Sequence, residues 1–142
     1  MLSPAERNAL RQVGRNTALG KAFRRYWLPV LSADQAPPSD SPPVRLRVLN
    51  ESLVLFRDTS GRLGVIDAYC PHEGSPLSLA RNQENGLMCM LHGWKFDVEG
   101  HRVDSGAIHS VPVRTIAYPA VEQSGAVWIY MGPPEEMPPT VE

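Results

Sequence analysis

The chain has 142 residues and a formal net charge of −1 at neutral pH, with 42% apolar and 20% charged residues. That length predicts one domain and leaves no room for a second full catalytic domain. The balanced charge argues against a nucleic-acid binder, and the 11 Gly and 14 Pro residues favour a turn-rich globular fold over a helical bundle.

The sequence also carries signals about its cellular setting. The first residues contain no apolar stretch typical of an export signal, and no apolar run approaches the ~18 residues that span a bilayer. We therefore expect a cytoplasmic protein without a membrane anchor. In that setting Cys70 and Cys89, the two cysteines, are expected to be thiols or metal ligands rather than a disulfide.

Two short helices are predicted near the N-terminus. Ser3, with Glu6 three residues later, forms a capping box, so a helix is predicted over residues 3–13. Thr17 can cap a second helix, whose apolar residues recur at helical spacing until Pro29 ends it. These helices would form an arm ahead of the rest of the chain.

From residue 44 onward the pattern favours short strands separated by turns. The predicted strands are residues 44–49, 53–57, 63–69, 87–91, 94–98, 113–118 and 127–131. Seven short strands with turn signals between them predict a mainly β, antiparallel sandwich or small barrel. The chain thus divides into an N-terminal helical arm, residues 1–31, and a β-domain, residues 32–142.

Two pairs of possible metal ligands carry most of the chemical information. Each pair follows a predicted strand, and 16 residues separate the pairs: Cys70-Pro71-His72 and Cys89-Met90-Leu91-His92. Gly74 and Gly93 follow the two pairs and would allow tight turns that bring backbone N–H groups near a bound group. The residue types fit two sites. One is a single tetrahedral zinc, and the other is a Rieske [2Fe-2S] centre with two Cys on one iron and two His on the other.

The motifs around these ligands resemble those of a known family. They read Cys70-Pro71-His72-x-Gly74 and Cys89-x-x-His92-Gly93-Trp94-x-Phe96. They resemble the Rieske signature of the oxygenase subunits of ring-hydroxylating and O-demethylating Rieske non-haem iron oxygenases, especially the phthalate dioxygenase-like branch. Residues 18–31, 53–58 and 126–133 resemble the flanking parts of the same branch, so the resemblance covers nearly the whole chain.

The resemblance implies a fold and a ligand set. The fold would be a Rieske-type antiparallel β-sandwich with a cluster-binding subdomain and a short N-terminal helical arm. Cys70 and Cys89 would bind the inner iron of a [2Fe-2S] cluster, and His72 and His92 would bind the outer iron near the surface.

The resemblance also implies a function and partners. The chain would take one electron at a time from a reductase or ferredoxin and pass it to a mononuclear non-haem iron site in aromatic catabolism. That site would lie on another chain or on a further domain, within a homo- or hetero-oligomer, so this chain alone would have no oxygenase activity. Two alternatives stay open, a self-contained Rieske ferredoxin and a zinc-binding interaction module.

Several residues beside the cluster are expected to set its properties. Besides Gly74 and Gly93, we expect Trp94 to form a packing wall over the cluster. High-potential Rieske centres resemble one another in having Ser and Tyr hydroxyls where this chain has Trp94 and Phe96, so a midpoint potential on the order of −150 mV is expected. Glu73 stands where the family usually has Arg, and a carboxylate beside the cluster would lower the potential further.

A second metal site within this chain is a weaker possibility. His101, His109 and Asp104 offer two imidazoles and a carboxylate, the ligand types of a mononuclear iron site. No motif frames them, and both histidines lie in a turn-rich segment. We therefore predict ordinary surface roles for them and for Arg102, which we interpret as hairpin surface charge.

Overall fold

A computed structural model describes residues 1–104 and 113–140 of the chain. Within these residues the fold is mainly β, as predicted, and all three of its sheets are antiparallel. The helices are α1 (Pro4–Ala9) and α2 (Ala18–Phe23). The strands are β1 (Trp27–Ser32), β2 (Val44–Val48), β3 (Glu51–Arg57), β4 (Leu63–Asp67), β5 (Arg81–Gln83), β6 (Gly86–Met88), β7 (Lys95–Phe96), β8 (Ala117–Tyr118), β9 (Ala120–Gln123) and β10 (Ala126–Tyr130).

A four-stranded sheet, ordered β2-β3-β4-β8, forms the middle layer. Leu53 and Leu55 of β3 pack on one side against a sheet ordered β1-β10-β9, in a core that includes Ile129. Val54 and Phe56 point the other way, into a core shared with the small β5-β6-β7 sheet. A strand covered on both faces reads as a continuous apolar run instead of an alternating one, which explains the sequence of β3.

The N-terminal helices are shorter than predicted. Helix α1 begins at the predicted capping box but ends at Ala9, and α2 ends at Phe23 rather than near Pro29. The next residues form β1, which pairs with β10, so β1 spans the predicted boundary between arm and β-domain. An edge strand tolerates Pro29 because the pairing register shifts there, whereas a helix would lose a hydrogen bond.

Within the described residues, no helix is long and apolar enough to span a bilayer.

Two strands, β5 and β9, escaped the sequence prediction because they are only three and four residues long and are partly or wholly polar. Strand β5 pairs with β6 across Glu84 and Asn85, both of which have positive φ, and β9 pairs with β10 across a turn at Ser124. Such turns match the twist of a hairpin and hold short polar strands in register. Conversely, the predicted strands 63–69 and 87–91 end early, at Asp67 and Met88, where the chain turns into two loops.

A buried ion pair anchors the N-terminal segment to the middle sheet. The Arg24 guanidinium donates to the Glu51 carboxylate at 2.7 Å, and the Tyr118 hydroxyl and Arg15 donate to the same carboxylate. Burial alone would raise the pKa of Glu51, but the hydrogen bonds from Tyr118 and Arg24 and the charges of Arg15 and Arg24 lower it overall. The Arg24 side chain is only 7% exposed, so the Glu51 carboxylate is the main counter-charge for its guanidinium.

Glu51→Gln should lower the free energy of unfolding by about 2–3 kcal/mol at pH 7, because it leaves the Arg24 charge buried without a counter-charge. The folded-state pKa of Glu51 is lowered, so its contribution is present above the unfolded value of about 4.3 and is lost as pH falls through the folded pKa. Urea denaturation at pH 7 and below pH 4 measures both effects. Glu122→Gln, which breaks the more exposed pair with Arg57, should cost less than about 1 kcal/mol. Equal losses for the two variants at pH 7 would contradict this role of Glu51.

Candidate metal centre

The two predicted ligand pairs lie on two loops with the same backbone hydrogen bonds. The first loop follows β4 and the second follows β6. The N–H of Gly74 donates to the Cys70 carbonyl at 2.8 Å, and the N–H of Gly93 donates to the Cys89 carbonyl at 3.0 Å. Each cysteine N–H then donates to the carbonyl of the residue after the glycine, at 2.8 and 2.7 Å. The two sequence motifs therefore form turns with the same pattern of backbone hydrogen bonds.

Glycine is needed at the turning point of each loop. Gly74 has a φ of +77° and Gly93 a φ of +76°, in the left-handed region that L side chains rarely adopt. A Cβ at either position would meet no atom within 4 Å. The requirement is thus conformational rather than steric.

The loops separate the two kinds of ligand by depth. Cys70 and Cys89 are each 3% exposed and belong to the core beneath the middle sheet. His72 and His92 are exposed, and their ring centroids lie 4.7 Å apart. The site therefore has a sulfur end inside the protein and an imidazole end at the surface.

The loops supply hydrogen-bond donors to the cysteine sulfurs. Burial, together with the hydrogen bond and charge of Cys89, raises the pKa of the Cys70 thiol overall, although the backbone N–H groups of His72 and Glu73 act to lower it. Burial also acts to raise the pKa of Cys89, but the Leu91 N–H, the Ser75 hydroxyl and the Cys70 thiol lower it overall. A thiolate is the form that binds metal, so the loop around Cys89 favours ligation. Ser75 was not among the residues predicted beside the cluster, because hydroxyl donors were expected only after His92.

The four predicted ligand side chains do not converge on one point. A tetrahedral zinc holds its ligand atoms about 3.3–3.8 Å apart. Among the described residues, three potential metal-binding atoms lie within 4.8 Å of one another, and they belong to His72, Glu73 and His92. Neither cysteine sulfur is part of this group. A [2Fe-2S] centre spreads its protein ligands over two irons joined by sulfides, and this separation fits that arrangement better than a single zinc.

A layer of side chains covers one face of His72. The Trp94 indole stacks on the imidazole, with ring centroids 4.3 Å apart and planes 6° from parallel. The Arg102 guanidinium lies over the indole, 3.8 Å from the centroid of the Trp94 ring. Phe96 is fully buried, 6.5 Å from the indole. The expectation that Arg102 is surface charge was wrong, because its side chain is only 9% exposed and pairs with Asp104.

Glu73 lies at the exposed end of the site. Its carboxylate is 3.8 Å from Nδ1 of His92, and both side chains are about half exposed. The carboxylate that stands in place of the usual family Arg therefore lies beside His92, a predicted ligand.

The weaker candidate for a second metal site is not assembled in the described residues. His101 lies 3.6 Å from the carboxylates of Asp97 and Glu99, at a hairpin turn. Asp104 instead accepts two hydrogen bonds from Arg102, at 2.6 and 2.9 Å. His109 lies outside the described residues. Asp104 thus has a structural partner that the sequence pattern did not reveal.

Comparison with known proteins identifies the family to which this site belongs. The model of the Rieske [2Fe-2S] domain matches residues 26–116. The oxygenase subunit of phthalate 4,5-dioxygenase from Pseudomonas putida is 41% identical over 143 aligned residues, which cover 97% of this chain and 33% of the relative. The chain thus spans about a third of the length of that relative.

Solved structures give the same result. Dicamba monooxygenase with non-haem iron and dicamba superposes with a TM-score of 0.69 at 27% identity, over 82% of this chain and 36% of that chain. The oxygenase of carbazole 1,9a-dioxygenase in complex with its ferredoxin also gives a TM-score of 0.69 at 27% identity, over 82% of this chain and 31% of that chain. Together with the paired loops, these matches show that the chain belongs to the Rieske [2Fe-2S] domain family, whose cofactor is a [2Fe-2S] cluster.

Proposed function

We propose that the chain transfers single electrons through a [2Fe-2S] cluster held by Cys70, Cys89, His72 and His92. The cysteines would bind the inner iron and the histidines the outer iron. The observation that carries this proposal is the separation by depth, with both thiols buried and both imidazoles exposed at one end of the site. When bound, the cluster supplies a one-electron redox couple, and no acid, base or nucleophile is needed.

Each part of the site has a task in that transfer. The core around Cys70 and Cys89 keeps water from the sulfur end, and backbone N–H groups and Ser75 offset its negative charge. The exposed His72 and His92 bring the outer iron close to the surface, which shortens the path to a partner. Electrons would therefore leave or enter at the imidazole end.

The surface around the imidazole end suits transient docking. Tyr69, Met90 and Leu91 lie on the two ligand loops, and each is more than half exposed. Apolar and aromatic side chains of this kind are enriched at the centres of protein interfaces. A partner that covers them would also exclude water from the histidine edges.

We propose a reductase or ferredoxin as the electron donor and a mononuclear non-haem iron site as the acceptor, in an oxygenase system acting on aromatic compounds. Three similarities support this. One similar protein is a phthalate dioxygenase subunit, one similar structure contains non-haem iron, and another is a complex with a ferredoxin. The acceptor iron would lie outside the 142 residues of this chain, on another polypeptide or a further domain.

The acceptor is tested by mixing the chain, reduced without oxygen, with a phthalate dioxygenase oxygenase subunit whose own cluster has been removed by mutation. We expect rapid reoxidation of the cluster without oxygen only when both proteins are present, and hydroxylated phthalate only after phthalate, oxygen and a reductant that re-reduces the chain for the second electron are added. Leu91→Glu should slow reoxidation at least about tenfold, the effect of losing a central interface contact. Leu10→Glu, an equally exposed leucine in the N-terminal segment, should have no effect.

Two outcomes would contradict the proposed acceptor. Product made by this chain alone, and lost in His101→Ala, would place oxygen chemistry within it. Rapid reduction of cytochrome c without any electron delivery to the oxygenase subunit would instead favour a self-contained Rieske ferredoxin.

A further inference from the structure

Arg102 and Asp104 form a half-buried ion pair near His72, the predicted ligand. The guanidinium donates from Nε to one carboxylate oxygen at 2.6 Å and from Nη2 to the other at 2.9 Å. Their side chains are 9% and 17% exposed. A bidentate pair of this kind fixes the plane of the guanidinium as well as its position.

The backbone holds this pair beside the second ligand loop. The N–H of Val103 donates to the Lys95 carbonyl at 2.8 Å, and the Lys95 N–H donates to the Asp104 carboxylate at 3.3 Å. Lys95 directly follows Trp94 in the chain. Lys95, the first residue of β7, therefore links the ion pair to the indole.

Three planar groups are stacked in sequence from the ion pair to the ligand. The guanidinium lies over the indole at 3.8 Å from its centroid, and the indole lies parallel to the His72 imidazole with centroids 4.3 Å apart. A cation over Trp is an attractive contact, and an indole held in place limits rotation of the imidazole stacked on it. The described side chains provide His92 with no comparable ring stack, since its aromatic contact is the edge-on one with His72.

We propose that Arg102, fixed by Asp104, is a positioning residue that holds Trp94 against His72 and so fixes the histidine end of the cluster. This inference rests on the proposed function, since it assumes that His72 binds the outer iron. Groups that orient a metal ligand typically change metal affinity about 10- to 100-fold when they are removed. The ion pair also fixes the charge near the outer iron, because loss of the cation leaves the Asp104 carboxylate uncompensated.

The test compares Arg102→Gln with Arg102→Lys in the cluster-loaded protein. Arg102→Gln should shorten the lifetime of the visible cluster spectrum in an iron chelator by about 10- to 100-fold. It should also lower the equilibrium constant for reduction about tenfold, which equals 59 mV for one electron. Arg102→Lys keeps the positive charge but loses the planar bidentate pair, so it should restore the equilibrium constant for reduction and recover only part of the cluster lifetime.

Arg62→Gln is the matched control, because Arg62 also pairs with a buried carboxylate, that of Asp58. It should leave the potential and the cluster lifetime unchanged. Should Arg102→Gln fail to fold, Trp94→Leu keeps the ion pair, removes the ring between it and His72, and should shorten the lifetime to the same extent. If the wild-type protein holds its cluster but Arg102→Gln and Arg62→Gln have the same potential and cluster lifetime, the inference about Arg102 is overturned and the proposed function is not. Absence of a cluster from the wild type would overturn the proposed function.

Discussion

Cys89→Ser should abolish the visible absorption of the protein and leave it with less than one iron per chain. A serine hydroxyl is far harder to deprotonate than a thiol and is a poor ligand for iron–sulfur clusters, which thiolates select. Cys89 lies 3% exposed in the core, where water cannot replace a missing ligand. The N–H and hydroxyl donors around its sulfur would then face a neutral oxygen. Absorption spectra and iron analysis of the purified variant measure the loss.

Met88→Leu is the control for that loss. Met88 precedes the ligand and is half-buried, and a volume-conserving apolar exchange usually costs less than about 1.5 kcal/mol. This variant should keep the full cluster content. By contrast, His72→Cys retains a metal-binding side chain and should alter the spectrum rather than erase it. A Cys89→Ser protein with unchanged iron and sulfide would show that Cys89 is not a ligand.

Glu73→Arg should raise the midpoint potential by about 80 mV, and Glu73→Gln by about half of that. A charge about 4 Å from a ligand changes the energy of an added electron by about 1 kcal/mol when water screens it, or about 40 mV for one electron. The carboxylate opposes reduction, so its removal favours the reduced cluster, and an arginine charge adds a second step of similar size. The 3.8 Å separation from His92 and the partial exposure of both side chains justify the water-like screening.

Protein-film voltammetry at constant pH and ionic strength measures these shifts. Glu84→Arg reverses a charge at the far end of β6 from Cys89 and should move the potential far less. The Glu73 shift should shrink as salt is raised, because both groups face solvent. Equal potentials for the wild type and Glu73→Arg would mean that the carboxylate does not act on the cluster.

The sequence was most informative where a function depends on local spacing. The predicted ligand pairs, the glycines and the strands that end in the two loops depend on residues a few positions apart, and the structure places the two loops side by side. Strand β1 was missed because its apolar residues continue the helical spacing of α2, while the pairing with β10 is a contact between distant parts of the chain. Strands β5 and β9 are short, and their hairpin turns rather than their composition define them.

Residues that act across the fold were harder to predict. Arg102 was interpreted as surface charge because nothing near it in the sequence shows that Trp94 lies beneath it. The second residue of that pair, Asp104, was considered as a metal ligand for the same reason. Ser75 was missed because it lies on the first loop, whereas its hydroxyl hydrogen-bonds to Cys89 on the second loop. In each case the decisive contact joins segments that only the packed loops bring together.

The most direct test is the iron, zinc and acid-labile sulfide content of the purified chain, produced with adequate iron. Ligation by Cys70, His72, Cys89 and His92 predicts two iron and two sulfide per chain, with no zinc. One zinc per chain and no sulfide would contradict the account, because a single tetrahedral ion cannot provide the one-electron couple that the proposed function requires.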